Sequence, residues 1–187
     1  MANTYLLVYN SVSLLLWLLV ASNPLNNVSN SYVLFTQSFA VLEIFHSLIG
    51  LVSSPVSTVA VQVASRLLLC LVLPSITPSI FRYSMLFAWS LTEVIRYSYY
   101  AFTNPPYVLL WARYSLFIVL YPLGAGSEVA IMYLFVLHSS AFWSRVLVGS
   151  IMLLYPPGFY MLYSYMFKQR LKYLYPSSLK KSSKKNK

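Results

Sequence analysis

The chain has 187 residues, of which 59% are hydrophobic and only 9% charged, with a mean hydropathy of +0.68. That excludes an ordinary soluble domain, where about 25% of residues are charged. The net charge of +10 is gathered late in the chain, with no Lys or Arg before Arg66 and eight at or after Lys168. This is a basic tail on a membrane body and not a nucleic-acid surface, which would need a folded soluble face to display it.

A crossing helix needs about 20 mostly apolar residues. The sequence predicts an all-α, polytopic membrane protein, a six-transmembrane-helix bundle with an interrupted fifth helix. The spans fall at 5–22, 32–52, 56–74, 79–101, 107–138 and 141–167. Turn chemistry separates them: Asn23-Pro24, Ser54-Pro55, Pro74, Thr77-Pro78 and Asn104-Pro105-Pro106. The organisation expected is a membrane catalytic domain over 1–167 and a basic cytosolic tail over 168–187.

The first span has no positive flank and only a weak cleavage site at Ala21-Ser22-Asn23, so it reads as a retained helix and not as a signal peptide. The loop after it holds the sequon Asn27-Val28-Ser29, close to the membrane.

The second span carries Glu43, with His46, Ser47 and Gly50 at i+3, i+4 and i+7 on the same face. Glu-x-x-His is a di-iron ligand spacing in bundles, but that site needs a second copy and further carboxylates. The chain has two histidines and three acids, so no metal site is expected. A buried charge costs on the order of 2.5–3.5 kcal/mol on insertion scales, and Glu43 therefore needs a cation. The third span offers Arg66, with Gln62 one turn earlier, and Glu43 and Arg66 are the expected pair. Cys70, the single cysteine, excludes an internal disulfide.

The fourth span places Glu93, Arg96, Tyr97 and Tyr100 on one face. Glu93 and Arg96 read as a local ion pair, with Arg96 also able to meet an anionic head group from the cytosol. The fifth span is too long for one straight crossing, and Pro122, Gly124 and Gly126 are expected to interrupt it. Broken helices at membrane depth are tolerated where they line a cavity. Tyr114, Tyr121 and Glu128 are spaced seven apart and share a face of a continuous helix. A seven-residue step rises about 10.5 Å, so Tyr121 and Glu128 would flank one substrate without touching, unless the break closes the gap.

The basic end faces the cytosol by the positive-inside rule, and six spans put the N-terminus there too. Lys184 and Lys185 lie three and four residues from the C-terminus, which is the placement of a dilysine retrieval address.

The run from Arg113-Tyr114-Ser115-Leu116-Phe117 through Tyr121-Pro122-Leu123-Gly124 to Glu128 closely resembles the very-long-chain (3R)-3-hydroxyacyl-CoA dehydratases of microsomal fatty-acid elongation, formerly called tyrosine-phosphatase-like. The stretches 42–52 and 89–97 extend the likeness. The resemblance implies a six-span endoplasmic reticulum protein that removes water from long-chain 3-hydroxyacyl-CoA to give trans-2-enoyl-CoA. It implies Tyr121 and Glu128 as the catalytic pair and needs no cofactor. Its partners would be membrane lipid and the other cycle enzymes: condensing enzyme, 3-ketoacyl-CoA reductase and enoyl-CoA reductase.

Arg96, Tyr97, Arg113 and Tyr114 are the expected substrate contacts, and Glu43, Arg66 and Glu93 the structural ion pairs. Phosphatase chemistry is excluded, because a phosphate loop needs Arg six residues after its Cys and this chain has Ile76 there. A non-catalytic scaffold of the elongation complex is the main alternative. A small transporter is a further one, although the two halves show no repeat.

Overall fold

Apolar runs, some of them separated by Pro-bearing breaks, form eight helices among residues 4–22, 30–72 and 80–175, which the computed structural model describes. They are α1 (Thr4–Ser22), α2 (Asn30–Phe39), α3 (Val41–Leu48), α4 (Val56–Val72), α5 (Ile80–Ala101), α6 (Tyr107–Ser115), α7 (Phe117–His138) and α8 (Phe142–Leu174). No strand occurs among the described residues. Three of these helices, α1, α7 and α8, are long and apolar enough to cross a membrane. The sequon, the Pro74 and Thr77-Pro78 turns and the dilysine end lie outside the described residues.

The central element is α5, which packs against α1 on one side and α7 on the other. Beyond α7 lies α8, while α4 packs on α2 and α3. The core draws Trp17 from α1, Leu69 from α4, Met85 and Leu86 from α5, and Ile131 and Met132 from α7. Leu15, Val119, Leu153 and Met161 stay exposed. So much outward apolar surface suits lipid rather than water.

Two expected helices differ from their sequence reading. The second span does not run to residue 52. It jogs at Ala40 and stops at Leu48. Gly50 has φ 73°, its N–H bonds the Ser47 carbonyl at 3.3 Å, and the Leu51 N–H bonds the His46 carbonyl at 2.8 Å. This is a Schellman cap, which needs a left-handed residue. Gly50 therefore ends the helix and does not join the Glu43 stripe. A Cβ at Gly50 would meet no neighbour, so Gly50→Ala isolates the backbone cost. About 1 kcal/mol of lost stability is expected, measured by thermal unfolding in detergent.

The fifth expected span divides into α6 and α7 at Leu116, six residues before Pro122, with Leu116 itself in right-handed helical dihedrals and its carbonyl accepting from both Val119 and Leu120. The α7 helix then runs on through Pro122. Proline removes one N–H and frees the carbonyl four residues earlier, here Ile118. The Tyr163 hydroxyl of α8 donates to that carbonyl at 3.1 Å, which makes the proline tolerable. Gly124 faces Ala88 of α5, where a Cβ would make ordinary contact with the Ala88 Cβ at 3.5 Å. Ser84 and Ser127 meet across the same seam at 2.6 Å. Small residues let helix backbones approach closely in a membrane, and this seam sets the depth register of α5 on α7.

Candidate active site

The three acids fall in two neighbouring centres. In the first, Arg66 of α4 donates to Glu93 Oε1, and Arg96 Nε donates to Glu93 Oε2 at 2.6 Å. Arg96 then forks onto Glu43 of α3, with Nη1 and Nη2 each at 2.8 Å from a carboxylate oxygen. The Tyr97 and Tyr9 hydroxyls also donate to Glu43. The side chain of Glu93 is 3% exposed and that of Arg66 13%.

Two acids and two guanidinium groups thus balance within one cluster. The expected Glu43–Arg66 pair is not formed. Arg66 goes to Glu93, and Arg96 bridges both acids. Which charges meet depends on helix depth and rotation, and spacing along the chain carries neither. His46 is buried and accounted for by the Tyr5 hydroxyl at 2.8 Å and the edge-on ring of Tyr9.

The second centre surrounds Glu128. The Ala88–Gly124 approach brings the Trp89 indole of α5 to α7, and its Nε1–H donates to Glu128 Oε1 at 2.7 Å. The Tyr155 hydroxyl of α8 donates to Glu128 Oε2 at 2.9 Å. Among the described residues, no Lys or Arg lies within ion-pair distance of Glu128. The Arg66 guanidinium lies 5.2 Å over the Trp89 ring, so the indole separates the two centres and touches both.

Tyr121 lies two turns before Glu128 on the continuous α7 helix, about 10.5 Å of rise away. Its ring stacks on Phe159 at 5.1 Å and Tyr163 at 5.9 Å. Tyr155, Phe159 and Tyr163 repeat every four residues on α8, so one face of α8 meets both Tyr121 and Glu128.

The other expected substrate contacts divide. Arg96 and Tyr97 are taken up by Glu43. Arg113 has no carboxylate partner among the described residues. It donates to the Tyr100 hydroxyl at 2.6 Å and lies over the rings of Tyr100 at 4.4 Å and Tyr99 at 5.0 Å. Tyr114 stacks on Tyr173 at 4.8 Å, and Arg170 donates to the Tyr114 carbonyl at 3.5 Å. The α8 helix continues past residue 167 to Leu174, so Lys168, Arg170 and Lys172 are helical. Sequence reasoning missed Trp89 and Tyr155 as partners of Glu128. Their one visible trace was a polar-tipped aromatic in an apolar run, which also describes ordinary core residues.

Comparison with known proteins decides the family. Residues 37–176 match the family model described as protein tyrosine phosphatase-like protein, PTPLA. The chain belongs to the PTPLA family. A relative in Schizosaccharomyces pombe, named "Probable very-long-chain (3R)-3-hydroxyacyl-CoA dehydratase", is 38% identical over 90% of this chain and 91% of its own. A very-long-chain (3R)-3-hydroxyacyl-CoA dehydratase of Caenorhabditis elegans is 35% identical over 95% of this chain and 98% of its own. Very-long-chain (3R)-3-hydroxyacyl-CoA dehydratase 2 of Homo sapiens is 35% identical over 93% of this chain and 82% of its own. No solved structure matches the chain.

The cysteine and arginine of a phosphatase phosphate loop are not found together at Cys70. Cys70 is buried in the apolar core, and no Arg follows it at the spacing of a phosphate loop.

Proposed function

We propose that this PTPLA protein dehydrates long-chain (3R)-3-hydroxyacyl-CoA to trans-2-enoyl-CoA, with Glu128 and Tyr121 as the proton-transfer pair inside the membrane. The enzyme class follows from the family and the names of the relatives. The observation that carries the site is the contrast among the three acids. Glu43 and Glu93 are locked in ion pairs, whereas Glu128, among the described residues, is held by an indole N–H and a phenol O–H and by no cation. An acid held by neutral donors can change its protonation state without stranding a buried cation.

The elimination removes the C2 proton, which the thioester carbonyl makes acidic. The C2–H electrons become the C2–C3 double bond as the C3–O bond breaks, and the hydroxyl leaves with a proton as water. Glu128 takes the C2 proton, and the hydroxyl is then protonated by one of two routes. Either Tyr121, a phenol two turns away, protonates the departing hydroxyl and is afterwards reprotonated at the expense of the Glu128 proton, or Tyr121 hydrogen-bonds the thioester oxygen and Glu128 itself passes the C2 proton to the hydroxyl. A positioned base or acid contributes about 10²–10⁴-fold, and donors to the developing oxyanion add to that. The reverse assignment of the two residues uses the same atoms.

Six crossings fit the helix order when α2 with α3 and α6 with α7 each count as one span. Both termini are then cytosolic and the membrane is that of the endoplasmic reticulum. On this topology Arg113, Tyr114 and Arg170 lie at the cytosolic ends of their helices, where the CoA phosphates would dock. The pantetheine arm would bridge the interval to Glu128, and the acyl chain would follow the apolar face beyond. The enoyl product requires a reductase next, and the substrate a ketoreductase before it. Those enzymes and the condensing enzyme are the partners this reading supplies.

Purified protein in detergent is expected to convert (3R)-3-hydroxyhexadecanoyl-CoA to its trans-2-enoyl product, followed by the appearance of enoyl-thioester absorbance. A folded preparation that makes no product across a series of chain lengths would return the protein to the scaffold reading.

A further inference from the structure

We infer that Tyr155, together with Trp89, is a positioning residue for the elimination: the two side chains clamp Glu128 so that one lone-pair direction of its carboxylate faces the substrate. The inference rests on the reading of Glu128 as the base, and it adds two residues from other helices to the site.

The geometry is specific. A carboxylate has two oxygens and about four lone-pair directions. Trp89 Nε1–H occupies one on Oε1 at 2.7 Å, and Tyr155 O–H one on Oε2 at 2.9 Å. The donors come from α5 and α8, on either side of α7, so the carboxylate plane is held from two directions.

Neither donor is free to drift. Trp89 is 2% exposed within the core and lies beneath the Arg66 guanidinium at 5.2 Å. Tyr155 packs at the edge of the same core. One turn further along α8, Phe159 stacks on Tyr121. The α8 helix therefore orients both members of the proposed pair, with Tyr155 on Glu128 and Phe159 on Tyr121. A base must sit within hydrogen-bond reach of the proton it takes, and small displacements from a near-attack geometry cost rate rather than binding.

The test compares Tyr155→Phe, Tyr155→Ala, Trp89→Phe and Glu128→Gln in the full-length protein. The substrates are (3R)-3-hydroxyhexadecanoyl-CoA and its C2-dideuterated form. Tyr155→Phe keeps the ring and removes only the donor. It is expected to lower kcat about tenfold or more, the effect of losing one hydrogen bond to a charged group. KM is expected to stay within about twofold, and the deuterium effect on kcat to rise as C2–H cleavage becomes slower. A partly unfolded preparation lowers the rate without changing the isotope effect, so the two causes separate.

If Tyr155→Phe and Trp89→Phe keep wild-type kcat while Glu128→Gln is inactive, the clamp is wrong and the base assignment stands. A loss seen in Tyr155→Ala alone also overturns the clamp, because the ring would then act by packing. If Glu128→Gln itself turns over at the wild-type rate, the base assignment fails and the clamp falls with it.

Discussion

Glu128→Gln is expected to lower the dehydration rate by about 10²–10⁴-fold, the range for removing a general base, while leaving the fold and acyl-CoA binding intact. Gln has nearly the same shape as Glu. Its amide oxygen still accepts from Trp89, and the Tyr155 hydroxyl turns to accept from the amide nitrogen, since a phenol both donates and accepts. No ion pair is broken, because Glu128 has no cationic partner among the described residues. The substitution therefore removes proton affinity and little else. Tyr121→Phe is expected to fall in the same range if its hydroxyl donates to the leaving group. Its ring would still stack against Phe159 and Tyr163. Single-turnover formation of enoyl-CoA is the measurement, with acyl-CoA binding measured separately. Turnover near wild type in either variant would remove that residue from the chemistry.

Glu93→Gln is expected to destabilise the bundle by about 3–5 kcal/mol, the cost of removing one partner from a buried ion pair. Glu93 is shared by Arg66 and Arg96, and its loss leaves two guanidinium groups with Glu43 alone. Arg66 is the more exposed to this change, because Arg96 keeps its fork on Glu43. The double variant Arg66→Met with Glu93→Gln restores charge balance and is expected to recover much of the loss. Thermal unfolding of the two single variants and the double variant measures the coupling. Additive losses would mean that Arg66 and Glu93 do not stabilise one another. A Glu43/Arg66 charge swap, by contrast, breaks both contacts that are formed and is expected to do worse than either single change.

The two centres differ in how much of them could be read along the chain. Glu93 and Arg96 were legible as a pair because three residues of helix bring them to one face. The partners of Glu43 and Arg66 were not legible, since each contact spans helices whose depth and rotation are set by packing. Pro122 and Gly124 show a different limit. Their presence in an apolar run signals an irregularity, yet the helix continues because Tyr163, 45 residues away, satisfies the Ile118 carbonyl. A proline breaks a helix only when nothing takes up the carbonyl it frees.

The sequence by itself determined the membrane class, the all-helical composition and the candidacy of Tyr121 and Glu128. The first two follow from hydropathy. Scarce acids in apolar runs and a seven-residue spacing place Tyr121 and Glu128 where they could flank one substrate, and the family resemblance marks them as a catalytic pair, all of it legible in the chain taken in order. Only the tertiary structure decided that Glu128 stands apart from the ion pairs, held by Trp89 and Tyr155 at sequence separations of 39 and 27 residues. Those contacts depend on how close α5 comes to α7 and which face α8 presents. Both depend on small residues and shared core side chains packing in three dimensions.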